Sequence, residues 1–457
     1  MLKKLFSPTD MTVGSPWKSI IIFTLPMLIG NIAQQLYSTV DSIVVGNYIG
    51  DNALAAVGSA MPILNMLLVL FIGISAGANI MTAQYFGAKN REKLSYTIGN
   101  SITVTLIACA FLILVAAPLI RPVLIALNTP DSILDWCTDY LTISLVGIAG
   151  MAFYNILSGI IRGMGDSVSV LVYLLIATVI NIVLDIFFVA VIKMGVAGVA
   201  LATVIAQMIS SILCMIKLSR MHAEFDFGIR YLKPVSSYVK TIIKLGIPSG
   251  LTQAIMASAM IIVQSLTNRF GELFIAANVV IMRVDGFAMM PNFSFGMALT
   301  TYSGQNVGAG LYDRVTKGAK QGTLIAVACS TVITGIILLF GKNLMAVFSD
   351  TTELVDKSYY LMKILAAGYI AVAITQSLSG IMRGAGDTMT PMWISLITTV
   401  AVRVPIAYGI SYLTRTPSLP YGNSECIQIS LLLSWLIGAL LTVLFYSRGK
   451  WKNKAIS

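Results

Sequence analysis

SGIIRGMGD, residues 158–166, and SGIMRGAGD, residues 379–387, are one nine-residue phrase written twice in a chain of 457 residues. Each copy falls at a short polar gap between long apolar segments. The offset is 221 residues, nearly half the chain, and it also relates AQYFGA (83–88) to GQNVGA (304–309). Pro26 and Pro248 stand at almost the same offset. The chain reads as a tandem duplication of one membrane module. GxGD also occurs in intramembrane aspartyl proteases, but here each GMGD or GAGD follows Arg-Gly in a cytoplasmic gap, which reads as a loop turn.

Composition sets the class. Mean hydropathy is +0.86, 57% of residues are apolar and 11% are charged, too few charges to cover a soluble chain of this length. Apolar runs of about 20 residues, enough to cross a hydrocarbon core, recur from end to end and leave no room for a sizeable soluble domain. The first begins near Lys18 and continues past Val45, too long for a signal-peptide core, so it is expected to be a retained span.

Twelve spans are expected, at 18–45, 53–80, 94–118, 134–160, 167–190, 195–217, 241–267, 274–300, 318–340, 357–382, 389–413 and 427–446. The fold class is all-α membrane protein, with two six-helix lobes at 1–217 and 241–457 joined by a linker at 218–240. A six-span repeat has an even number of crossings, so both lobes enter the membrane in the same sense. A pseudo-twofold axis along the membrane normal is the expected relation between them.

Lysine and arginine orient the chain. The basic residues of the N-terminus (Lys3, Lys4, Lys18), the linker, the even-numbered gaps and the tail, with Arg162 and Arg383, put 21 on one side and six on the other. Both termini are therefore expected in the cytoplasm. The net charge of +11 follows from this bias and gives no reason to invoke nucleic acid. The linker is expected to be a solvated connector, and the single histidine, His222, lies in it without a catalytic role. The five cysteines have no ligand spacing, and Cys137 and Cys426 both fall toward the outer face with no means of deciding whether they pair.

Carboxylates inside a membrane are costly, so each one is a functional candidate. Only Asp41, Asp185 and Asp285 fall well inside spans. Asp41 ends a polar stripe of Asn31, Gln34 and Ser38 on one face of span 1. Span 5 carries Thr178, Asn181 and Asp185, and span 6 carries Thr203 and Gln207. Helical rise brings Asp41, Asp185 and Thr203 to a similar height toward the outer side. Two carboxylates, an amide and a hydroxyl can hold a proton or a sodium ion, because close carboxylates repel when both are ionised and oxygen ligands suit a hard cation.

The second half does not repeat this cluster. It has instead Asp285 on a span-8 face with Met282, Met289, Phe293 and Met297, a flexible apolar surface beside one charge that suits organic cations. A methionine-rich core with Asp285 paired to Arg403 or Arg283 is the competing reading. Pro26 and Pro248 permit bends in spans 1 and 7.

Taken together, the twelve spans, the paired SGIIRGMGD and SGIMRGAGD, and GQNVGAG after span 8 resemble the multidrug and toxic compound extrusion (MATE) family over essentially the whole chain. The resemblance implies a monomeric multidrug antiporter in the cell membrane, not an enzyme. It would have no cofactor beyond H+ or Na+ as coupling ion, and small organic molecules, often cationic, as cargo. It further implies coupling-ion binding at Asp41, Asn181, Asp185 and Thr203 and bending at Pro26; Gln34 and Ser38, on the stripe that ends at Asp41, are expected to support that site. A branch of the family with a carboxylate on span 7 is not matched, since Gln253–Met256 has none.

The nearest rival is a flippase for lipid-linked sugar precursors, which calls for extra spans and a cavity rich in arginine and lysine. No GxxxxGK[ST] phosphate loop and no HExxH zinc motif is present, so neither an ATP-driven pump nor a zinc enzyme has support.

Overall fold

Helix follows helix through residues 8–456, the part of the chain described by the computed structural model; Lys3 and Lys4 lie outside the described residues. The first half contains α1 (Pro16–Tyr48), α2 (Asp51–Gly87), α3 (Arg91–Ala116), α4 (Ile120–Ala126), α5 (Asp131–Val146), α6 (Ile148–Gly163), α7 (Ser167–Ile186) and α8 (Val196–Ser219). After the short α9 (Ile229–Leu232) come α10 (Ser236–Thr267), α11 (Glu272–Gly308), α12 (Tyr312–Ala346), α13 (Thr352–Ala366), α14 (Gly368–Gly384), α15 (Met389–Leu396), α16 (Val404–Leu413) and α17 (Cys426–Ser447). Among the described residues the only β pairing is one isolated bridge, Thr416 with Leu419.

Ten helical segments are long and apolar enough to cross a bilayer. Two further pairs, α5–α6 and α13–α14, bend by 49° and 46° and qualify when each pair is taken as one span, which makes twelve. The chain is a multi-pass, all-helical membrane protein. Its surface is inverted relative to a soluble protein: Phe111, Leu114, Leu324 and Leu339 are exposed on outer faces. Polar groups go inward and are satisfied locally. Thr97, Ser101 and Thr105, on one face of α3, each donate to the carbonyl four residues earlier, at 2.8, 2.7 and 2.7 Å.

Most of the nine-residue phrase lies inside a helix, and the turn expected at GMGD and GAGD falls at its end. Residues 158–163 form the last turns of α6, and 379–384 those of α14. Gly159 and Gly163 let α6 press on α2, where an added Cβ would stand 3.1 Å from the Ser75 carbonyl oxygen and 2.9 Å from that of Asn79. Gly380 and Gly384 do the same for α14 on α11, against the carbonyls of Gly296 and Thr300 at 2.3 and 2.2 Å. Only the end of the phrase turns. Gly165 and Gly386 have φ of +88° and +99°, and the aspartates that follow cap the next helices. Asp166 accepts from Ser169 N at 2.9 Å, and Asp387 from Thr390 N at 3.2 Å. Read from sequence, a charge beside glycines near a span end resembles a loop; tertiary packing makes it a helix-crossing seam.

The linker is tied to α3. Arg91 donates to the carbonyls of His222 and Ala223 at 2.7 and 2.9 Å and pairs with Asp226 at 2.7 Å. Asn100 receives Val235 N–H at 2.7 Å, and Thr103 donates to Leu232 O at 2.6 Å. Tyr231 is buried edge-on to Tyr96. The segment is exposed along much of its length, as a solvated connector would be, and its backbone is at the same time bound to α3.

By contacts the chain divides into two compact units. One comprises residues up to Met11 with Leu25–Gly250, and the other Thr12–Thr24 with Leu251–Ser457. The boundaries fall inside α1 and α10, beside Pro26 and Pro248. Within the first unit α6 packs on α2 and α8; within the second α14 packs on α11, α12 and α17.

Candidate functional site

In the first unit, α1, α7 and α8 bring Asp41, Asn181, Asp185 and Thr203 together. Asn181 and Asp185 are one helical turn apart on α7, Thr203 approaches from α8 and Asp41 from α1. Asn181 and Asp185 are fully buried, and Asp41 and Thr203 are 6% and 9% exposed. With its amide oriented to satisfy its surroundings, Asn181 Nδ2 donates to Asp41 Oδ1 at 2.9 Å and to Asp185 Oδ2 at 3.0 Å. The same orientation puts Asn181 Oδ1 3.2 Å from the Tyr37 hydroxyl, which also lies 3.1 Å from Thr203 Oγ1. One amide thus ties both carboxyls together.

The remaining acceptor capacity is the informative part. Asp185 Oδ1 is buried with no hydrogen-bond partner. A buried carboxylate oxygen without a donor is costly, and two carboxylates here repel in low dielectric. A proton or a hard monovalent cation relieves both penalties. Among the described residues no group of three or more His, Cys, Asp or Glu forms a transition-metal site.

A cavity of about 230 Å³ leads to this cluster, lined by Pro26, Asn31, Gln34, Ser38, Asp41, Thr203 and Gln207. The whole polar stripe of α1 therefore faces one space. Thr178 does not join it; its hydroxyl donates to Leu174 O at 2.9 Å. Tyr37 and Tyr140 were missed by sequence reasoning. Tyr37 lies four residues before Asp41, on the same helical face, so the spacing that found Gln34 and Ser38 could have found it. Tyr140 carried no signal, because it reaches the cavity from the bent α5.

The second unit holds a larger cavity, about 470 Å³, within the range of drug-sized ligand sites. Asp285, Met282, Met289 and Phe293 line it as expected, joined by Met256, Met260 and Trp435. Met297 is outside its lining. Asp285 accepts from the Tyr369 hydroxyl at 2.9 Å. Among the described residues it forms no ion pair with Arg283 or Arg403. Arg283 is exposed and away from the cavity, whereas Arg403 lines it with Nε buried and unpartnered. Arg403 ends a stretch of π-helix, Ile397–Arg403, whose wider winding also turns Thr398 to the cavity.

Two of the residues counted above on the basic side line cavities. Arg162 lines the smaller cavity and Arg383 the larger one. All five cysteines are free thiols, Cys137 and Cys426 among them, both buried.

Comparison with known proteins agrees with this architecture. The family model MatE matches residues 26–187 and again 248–409. "Probable multidrug resistance protein YoeA" of Bacillus subtilis is 28% identical over 452 residues, covering 97% of this chain and 96% of that one. "Probable multidrug resistance protein NorM" of Thermotoga maritima is 25% identical over 453 residues, covering 96% and 94%. Among solved structures, "Crystal structure of MATE in complex with MaL6" superposes with a TM-score of 0.90 at 22% identity, over 97% of this chain and 98% of that one.

Proposed function

This chain belongs to the MatE family, and from that premise we propose that it is a secondary active multidrug exporter. It expels organic, often cationic, molecules in exchange for H+ or Na+ by alternating access. Relatives named for multidrug resistance over nearly the full length support the cargo class. The observation that carries the coupling role is the pair Asp41 and Asp185, bridged by Asn181 with one carboxylate oxygen left unpartnered.

In this reading the ion neutralises the aspartate pair, with Asn181, Thr203 and Tyr37 as its immediate partners. Gln34 and Ser38 carry it along the α1 face, and Pro26 lets α1 change shape as the site fills. Cargo occupies the cavity around Asp285, Met282, Met289 and Phe293. One charge moving across 100 mV supplies about 2.3 kcal/mol, enough for roughly a fiftyfold concentration ratio of a neutral cargo. We place the protein in the cell membrane as a monomer, with both termini and the 218–240 linker cytoplasmic between lobes 1–217 and 241–457. The lysine and arginine bias supports that orientation with Arg162 and Arg383 removed from the tally.

The test is dye export from vesicles under imposed H+ or Na+ gradients, comparing wild type with Asp41→Asn and Asp185→Asn. Loss of gradient-driven export in both variants is expected. Export unchanged in both would move the coupling site away from this pair, and whichever gradient drives wild type identifies the ion.

A further inference from the structure

The duplicated phrase puts an arginine on the wall of each unit's cavity, and the two arginines have different surroundings. Arg162 Nη2 lies 3.2 Å from Ser158 Oγ, within its own phrase. Arg383 lacks the equivalent bond to Ser379. Its guanidinium has no hydrogen-bond or ion-pair partner among the described residues, and the half-buried side chain lines a cavity of about 470 Å³.

Its height in the cavity follows from the helix seam. Gly380 and Gly384 oppose the carbonyls of Gly296 and Thr300 on α11, so Arg383 stands near the level of Thr300. Asp285 is 15 residues earlier on the same helix, roughly 20 Å away at 1.5 Å per residue. The cavity therefore has two polar stations. Asp285, which accepts from Tyr369, marks one; Arg383, one helical turn from Ser379 on α14, marks the other. Met289 and Phe293, between Asp285 and Thr300 on α11, line the wall between them.

A half-buried guanidinium with no protein partner is open to pairing with an anion that enters the cavity. Its planar fork of donors matches a carboxylate better than any neutral group. Resting on the export reading above, we infer that Arg383 is the carboxylate-binding station of this cavity. The transported class then includes amphiphilic organic acids and zwitterions, whose acid group binds Arg383 while the apolar body lies on the methionine wall. The hydroxyl of Ser379, one turn before Arg383, serves the second carboxylate oxygen. A cationic end, where one exists, is directed toward Asp285.

The experiment is binding of rhodamine B, which carries a free carboxyl, and of its ethyl ester, which does not, to the purified full-length protein by fluorescence anisotropy. Wild type is expected to bind the free acid at least as tightly as the ester. Arg383→Gln should lower the acid-to-ester affinity ratio about tenfold, the loss of one well-placed charge-assisted contact. Arg383→Lys should retain part of the preference. Ester binding and the thermal unfolding midpoint report whether each variant is folded. An unchanged ratio in Arg383→Gln, or a wild type that prefers the ester, overturns the assignment while leaving the export reading intact. Failure of wild type to bind the free acid overturns the assignment as well, whereas the export reading falls only if no gradient drives export from vesicles.

Discussion

Lys217 Nζ lies 3.0 Å from Asp166 Oδ2, an ion pair between the end of α8 and the cap of α7 in which the carboxylate is fully buried and the lysine side chain 14% exposed. Asp166 therefore has two duties, since it also caps α7 through Ser169. Its repeat counterpart Asp387 caps α15 through Thr390 with no ion pair among the described residues. The duplication has kept the cap and added the charge pair on one side only.

Asp166→Ala is expected to cost about 3 kcal/mol, the scale for breaking a buried pair. Asp387→Ala should cost about 1 kcal/mol, the scale of a helix cap alone. Thermal unfolding in detergent measures both. Equal losses would mean that the Lys217 contact adds no stability.

Asn181→Ala removes the donor that joins the two carboxyls and leaves them facing each other unbridged. Gradient-driven dye export is expected to fall at least about tenfold, with more than 1.4 kcal/mol lost from the site. Tyr37→Phe removes one hydroxyl and should reduce export about fivefold, the equivalent of one ordinary hydrogen bond. Initial export rates at matched expression decide the matter; wild-type rates for Asn181→Ala would exclude the bridge from coupling.

Gly380→Val places a branched side chain where even a Cβ would lie 2.3 Å from a backbone carbonyl. Backbone cannot yield as a side chain tip can, so α14 must move off α11. A loss of about 2–3 kcal/mol is expected, as for overpacking elsewhere. Gly335, with nothing within 4 Å of its added Cβ, is the control. Gly335→Ala should leave the unfolding midpoint unchanged or slightly raised.

The linker clip is pH-dependent. Hydrogen bonds from Arg91 hold the Asp226 carboxyl below the usual carboxylate range. A group with a depressed native pKa contributes stability above its unfolded value and loses it as pH falls through the folded one. Amide exchange in residues 222–235 should therefore stay slow from neutral pH to about 5 and rise below roughly 4, after correction for intrinsic rates. Asp226→Asn should show the faster exchange already at neutral pH. Equal protection in wild type and variant would remove the clip from the account.

The spans and the polar cluster around Asp41 and Asp185 were legible in sequence for the same reason: hydrocarbon tolerates so few polar groups that each one is conspicuous. Asp41, Asn181 and Asp185 needed only helical spacing to be placed on inward faces. Tyr37 escaped because an aromatic ring passes for lipid-facing apolar surface. Arg162 and Arg383 escaped because a charge near a span end is ordinarily a loop charge, and only the crossing of α6 on α2 and of α14 on α11 makes it a cavity wall. The bends at Gly147 and Ala367 have no proline to announce them. The linker's docking depends on Arg91, Asn100 and Thr103, more than 100 residues away along the chain.

The compact units do not coincide with the duplicated halves. The start of α1 is held in the second unit, where Trp17 N–H donates to Gln321 Oε1 at 3.2 Å and Arg314 donates to the carbonyl of Gly14 at 2.8 Å. The start of α10 is held in the first, where Gly246 meets the Gly73 backbone and Tyr238 stacks on Tyr96. Each half of the chain thus lends the first turns of its opening helix to the other unit. A cut in the linker would leave each fragment carrying turns that pack in its counterpart, so neither compact unit could be completed from one fragment alone.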